Sequence, residues 1–211
     1  MKRRTLDIAF SIGGALMAVL LLILGLVLKD QADFAKTYVA DQLSLQKINF
    51  TPEAGLNGEQ DDAPCLIEFA GTPLDSGKKA ECYANEYIAY HLGESAKAAG
   101  YEGETYATLG TPQRELRTEL AAANDAGTDT TEIQAKLDAV NGLRDTMFRG
   151  ETLRGLLLTT FGFSIFGERA DTAALVCFLL VALLLLLSVA GFAHALMSHK
   201  GDKVVLPITK G

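Results

Sequence analysis

Two long apolar blocks flank a polar middle. Residues 8–28 read IAFSIGGALMAVLLLILGLVL and carry no charge. At ~1.5 Å of rise per residue, a helix of that length crosses the ~30 Å hydrocarbon core of a bilayer. The second block runs from Thr172 or Ala173 to about Met197, interrupted by His194 near its end. Helices apolar on every side belong in hydrocarbon or deep in a large core, and two of them bracketing a polar segment point to membrane spans. The pattern predicts a mainly α chain: two transmembrane helices with a helical extracytoplasmic domain between them, the first helix extended as a stalk. The expected division is 1–7 cytoplasmic, 8–29 span, 30–150 exterior helical domain, 151–170 membrane-proximal amphipathic segment, 171–197 span, and 198–211 cytoplasmic tail.

Beyond the first span, Phe34, Ala35, Tyr38, Val39 and Leu43 recur at three and four residues, and nothing breaks the run before Thr51-Pro52. The helix is therefore expected to continue to about Leu43 or Leu45. LQKINF alternates weakly, TPEAGLNGEQDDAP reads as an exposed loop, and CLIEFAG as a short strand or extended strip. A helix is predicted after Asp75-Ser76, with Gly93 as its stop. Thr111 is expected to cap a further helix with Pro112 in its first turn. Gly127–Thr130 separates that helix from TEIQAKLDAVNGLRDTMF, so the two should form an antiparallel hairpin.

The stretch FRGETLRGLLLTTFGFSIFGERAD is apolar from Leu156 to Phe166 yet too short to cross alone. Arg149, Glu151 and Arg154 flank one side; Glu168, Arg169 and Asp171 close the other. It reads as an interfacial helix with Phe161, Phe163 and Phe166 at headgroup depth; a core helix of the exterior domain is the alternative.

Charge sharpens the topology. From Asp30 to Asp171 there are 24 acidic and 12 basic residues, a net −12, against −7 for the whole chain. Lys2, Arg3 and Arg4 precede the first span, and His199, Lys200 and Lys203 follow the second. Basic flanks stay cytoplasmic, so both termini are expected inside and the acidic middle outside. Lys29, at the outer edge, can snorkel. The first block also has the basic start of a signal peptide, but its apolar run is long and no A-x-A site follows, so it reads as an uncleaved anchor. The acidic middle argues against nucleic acid as a partner.

Cys65 and Cys82 both fall in the exterior segment and are expected to pair, since an oxidising compartment favours disulfides. Cys177, within the second span, reads as a small buried apolar residue. Motif-borne chemistry is sparse. The chain carries no glycine-rich phosphate loop with its lysine, no His-Glu-x-x-His, no paired-cysteine redox motif and no nucleophile elbow. No catalytic, cofactor-binding or metal-ligating residue is nominated. Tyr83, Tyr87 and His91 recur at helical spacing and make a possible ligand or partner surface; tyrosines so spaced also pack through their rings. Glu81, Glu86, Glu102 and Glu104 are the notable exterior carboxylates, and the acidic EQDD loop lacks the ligand order of a calcium site. In the spans, Gly14 with Ala18 and Gly191 with Ala195 suit close packing, either of the two helices, of a second copy, or of another membrane protein.

The stretches YVADQLSLQKINF, CLIEFAG, GKKAECYANEYIAYHL and MFRGETLRGLLLTTFGF resemble those of a family of two-span membrane proteins from actinobacteria and related high-GC bacteria. The resemblance covers most of the chain and implies a bacterial plasma membrane; it brings no activity with it, and the cysteine pair is no part of it. The expected function is a membrane-anchored accessory or scaffolding protein whose partners are the bilayer and another membrane protein or itself. An exterior ligand-binding or sensing module acting through a partner is the second reading, and an enzyme with a carboxylate site the third.

Overall fold

The computed structural model describes residues 3–57, 60 and 62–197. Lys2, Glu59 and Asp61, and the tail with His199, Lys200 and Lys203, lie outside the described residues. Six α-helices follow in order: α1 Arg3–Leu45, α2 Pro64–Phe69, α3 Gly77–Cys82, α4 Ala89–Ala98, α5 Gly110–Asp125 and α6 Thr131–Met197. A π-helical turn, Tyr83–Ile88, joins α3 to α4 without a break. The chain divides into two compact units: described residues up to Ala35 and from Phe166 onward, and Lys36–Ile165. Both α1 and α6 contribute residues to each unit.

The first unit is a pair of membrane-spanning helices, the apolar parts of α1 and α6. Most of their large side chains face outward, Leu186 at 71% and Leu196 at 79% exposure, as a lipid-facing surface requires. Small residues line the seam. A Cβ on Gly14 would lie 2.7 Å from Ser188 Oγ, one on Gly25 would meet Phe178 at 2.8 Å, and one on Gly191 would collide with Ser11. Ala18, Ala174 and Ala195 are buried, as are Ser11 and Ser188. As α1 advances, its partners on α6 run backward in step, from Asp7 beside His194 to Ala35 beside Gly167, so the helices are antiparallel and in register. The glycine–alanine pairs read in the sequence therefore join the two spans to each other. Polar pairs mark both ends: His194 Nδ1 is 2.9 Å from Asp7 Oδ2, and Lys29 Nζ bridges Asp33 at 2.8 Å and Asp171 at 2.9 Å. Cys177 is free and buried against Gly25.

The second unit is the non-membrane middle domain, whose regular structure among the described residues is helical apart from one bridge, Asn49 to Pro73. Its main core gathers Val39 and Leu43 of α1, Phe50, Leu66 of α2, Leu74, Ala80, Ala84, Ile88 and Leu157 of α6. A smaller cluster holds Ala96, Leu109, Leu143 and Met147. The stalk register is as expected: the buried α1 positions Ala35, Val39 and Leu43 fall four apart, and the helix ends at Leu45. Ser76 caps α3, its Oγ accepting from Lys79 N at 3.4 Å.

Four local expectations are corrected. CLIEF is helical, not extended: Pro64 sits in the first turn, where its missing N–H costs nothing, and Leu66 goes into the core. Gly93 does not stop its helix, which runs to Ala98; the turn is made instead by Gly100 at φ 79°. Thr111 is not a cap, because the helix starts at Gly110 and the Thr111 hydroxyl accepts from Arg114. Finally, the segment 151–170 is no separate helix. It is the middle of α6, which continues from the α5–α6 hairpin through the second span for 67 residues.

That hairpin is sewn by a polar network. Gln113 Nε2 donates to Asn141 Oδ1 at 2.6 Å, Arg144 donates to Gln113 Oε1, and the Arg144 guanidinium lies 4.5 Å over the Tyr106 ring. Where α4 meets α6, a Cβ on Gly150 would strike Leu92.

Two substitutions test this packing. Leu157→Ala, at 2% exposure, is expected to destabilise the middle unit by about 2–5 kcal/mol, read from its denaturant midpoint. Gly191→Val is expected to cost about 1–3 kcal/mol through overpacking against Ser11, measured by unfolding in a detergent-to-SDS titration.

Candidate functional site

A disulfide joins Cys65 on α2 to Cys82 at the end of α3, 17 residues apart, with a Cα–Cα distance of 6.0 Å. Closing a loop of that size contributes about 3 kcal/mol by restricting the unfolded chain. The π turn begins at the next residue, Tyr83. One extra residue in a helical turn shifts which side chains line up, and such turns are frequent at functional sites.

The i, i+4 spacing of Tyr83, Tyr87 and His91 lines up a row of rings along this helix. Tyr83 stacks on Tyr87 with centroids 4.6 Å apart, His91 meets Tyr87 edge-on at 4.5 Å, and Phe50 meets Tyr83 edge-on at 5.3 Å. Phe69 extends the row to Phe50 at 5.6 Å. The structure thus brings Tyr83, Tyr87 and His91 together, with Tyr83 and Tyr87 packed against the main core and His91 exposed. His91 Nε2 lies 3.5 Å from the amide nitrogen of Gln60, which is itself buried. Burial pushes the Tyr83 phenol up to about 12, with a smaller contribution from Tyr87.

The concave surface lies on the neighbouring face of the same helix. Two open depressions, of about 390 and 550 Å³, share Ala89, Gly93 and Gly103 and so form one trough. Tyr90, rather than the three ring-row residues, lines it. One wall is the helical face from Asn85 to Lys97, the second is the turn Glu102–Thr105, and the third is α6 at Met147, Glu151, Arg154 and Leu158. Gly103, at φ 79°, takes a turn conformation closed to most other residues. A Cβ on Gly93 or Gly155 would meet nothing within 4 Å, so the trough is open there for want of side chains.

The charges around it are unbalanced. Glu94 pairs with Lys97 at 3.6 Å, whereas Glu86, Glu102 and Glu104 form no ion pair among the described residues. Glu151 Oε1 accepts from the Tyr106 backbone N–H at 2.9 Å. Arg154 donates through Nη2 to Asn85 Oδ1 at 3.1 Å, while its Nε is buried without an acceptor. The sequence singled out Glu86, Glu102 and Glu104 only as exterior carboxylates. Glu86 and Glu102 line one depression and Glu104 the other; the turn that follows α4 folds back to bring Glu102 and Glu104 to the trough, an approach that local spacing does not encode.

The remaining interface candidates have defined neighbours. Arg149 pairs with Asp145 on its own helix at 2.8 Å. Phe161 is partly buried, Phe163 packs edge-on against Tyr38 at 6.1 Å, and Phe166 is 72% exposed.

Two measurements probe this region. The Tyr83 phenol is neutral in the fold up to a higher pH than in the unfolded chain, so its stabilising contribution is full below ~10 and disappears as pH rises through about 12. Titration at 295 nm is expected to show one late-ionising tyrosine, absent from Tyr83→Phe. The double replacement Cys65→Ser/Cys82→Ser is expected to cost about 2–4 kcal/mol in denaturant unfolding.

No known family model matches the chain, and neither a curated protein nor a solved structure does.

Proposed function

We propose that this chain is an accessory or scaffolding protein of the cell envelope, with both termini cytoplasmic and its acidic middle domain outside, holding a partner protein. The observation that carries the reading is the Cys65–Cys82 disulfide inside the middle domain, between two spans. Disulfides persist in oxidising compartments, and the domain that holds one belongs on that side of the membrane. The basic residues Lys2, Arg3 and Arg4 at one flank, and His199, Lys200 and Lys203 at the other, favour the same orientation. Phe163 and Phe166 are proposed to lie at the outer interface, where aromatic rings concentrate. The resemblance to two-span proteins of high-GC bacteria agrees with a bacterial plasma membrane.

An accessory role is favoured by the way the small-residue surfaces are used. Gly14 and Gly191 are spent on joining the two spans, which leaves the middle domain with its open trough as the surface for a partner. That trough also supports the second reading, a ligand-binding module that signals through another protein.

Sidedness is tested on intact cells with a membrane-impermeant amine reagent. Lys97 and Lys136, both 59% exposed, are expected to be modified and Lys2 spared; the opposite pattern inverts the topology. The role is tested by mild extraction followed by mass determination. A complex larger than one copy is expected, and a clean monomer would refute the scaffolding reading.

A further inference from the structure

We infer that the trough across Ala89, Gly93 and Gly103 receives a basic, extended peptide segment of a partner protein. The inference deepens the accessory reading and rests on it for the origin of that segment. The juxtaposition that carries it is an apolar floor beside three uncompensated carboxylates. Leu92, Met147 and Leu158 line one depression together with Glu104, and Glu86 and Glu102 line the other.

Charge selects the occupant. Glu86, Glu102 and Glu104 form no ion pair among the described residues, so a lysine or arginine side chain entering there gains attraction without displacing one of those pairs. The two bases that line the trough are already engaged, Lys97 with Glu94 at 3.6 Å and Arg154 with Asn85 at 3.1 Å. A ligand therefore sets cationic groups beside Glu86, Glu102 and Glu104 and apolar groups on Leu92, Met147 and Leu158. Size fits a peptide. The helical face from Glu86 to Lys97 is about 16 Å long, which accommodates roughly five extended residues. The bare surface at Gly93 and Gly155 lets a main chain approach closely, and the apolar end distinguishes a peptide from a simple polyamine.

The test uses the full chain in neutral detergent micelles and a fluorescein-labelled pentapeptide of alternating leucine and lysine, followed by anisotropy at low ionic strength. Saturable binding is expected, with no binding of the leucine–glutamate counterpart. The triple replacement Glu86→Gln/Glu102→Gln/Glu104→Gln is expected to weaken it by about tenfold, from three partly screened charge contacts. Gly93→Phe, whose side chain enters open space, is expected to block the trough while leaving the helical circular dichroism unchanged. A control pair, Glu115→Gln/Glu119→Gln on α5, is expected to bind like the parent. The proposal is overturned by absent saturable binding, by full affinity in the triple or Gly93→Phe variants, by equal loss in the α5 control, or by spermidine competing as well as unlabelled peptide. Because micelles have no sides, this outcome is independent of the cell-labelling result: the trough can fail with the topology intact, and the reverse.

Discussion

The constraint on which this molecule depends is that a backbone in hydrocarbon must satisfy its own hydrogen bonds. Two uncharged stretches can meet it only as helices, and helices in lipid gain nothing from hydrophobicity when they associate. What remains is close contact, so the seam is built from Gly14, Ala18, Gly25, Gly191 and Ala195, where absent or short side chains let the helices approach. Ser11 and Ser188 sit in the same seam, opposite Gly191 and Gly14, and fill the notches those glycines leave.

Water imposes a different rule on the middle domain. There the same two helices, α1 and α6, present apolar stripes, and short α2, α3 and α4 cover them. The Cys65–Cys82 bridge offsets part of the conformational entropy that the segment from residue 65 to 82 would otherwise have in the unfolded chain. The bridge also fixes α2 against the end of α3, just before the π turn in which Tyr83 stacks on Tyr87.

Legibility in the sequence followed the range of the determining forces. The spans, the stalk ending at Leu45, the start of α3 at Ser76, the α5–α6 hairpin and the cysteine pair were readable, because each rests on local composition or on one capping residue. Gly93 misled because a glycine inside a helix costs only about 1 kcal/mol, which packing of Leu92 and Ala96 on either side outweighs. CLIEF was ambiguous at five residues, a length at which buried helix and strand share the same apolar density. The unbroken course of α6 was hidden by the charges that flank the apolar run 156–166, Arg149, Glu151 and Arg154 before it and Glu168, Arg169 and Asp171 after it, which a continuous helix also tolerates. The trough was illegible for another reason: its walls come from three stretches up to 73 residues apart, Asn85 to Leu158.

The polar pairs that close the two ends of the spans have a further consequence. Asp7 and Lys29 are about 22 residues apart on one helix, and Asp171 and His194 about 23 on the other, so each helix offers roughly 33–35 Å between its fastenings. That length suits an ordinary bilayer with a slight lean. In a thinner membrane neither rod can lean by itself without parting Lys29 from Asp171 or Asp7 from His194. The two must incline as one body, and bilayer thickness acts on them as a single lever.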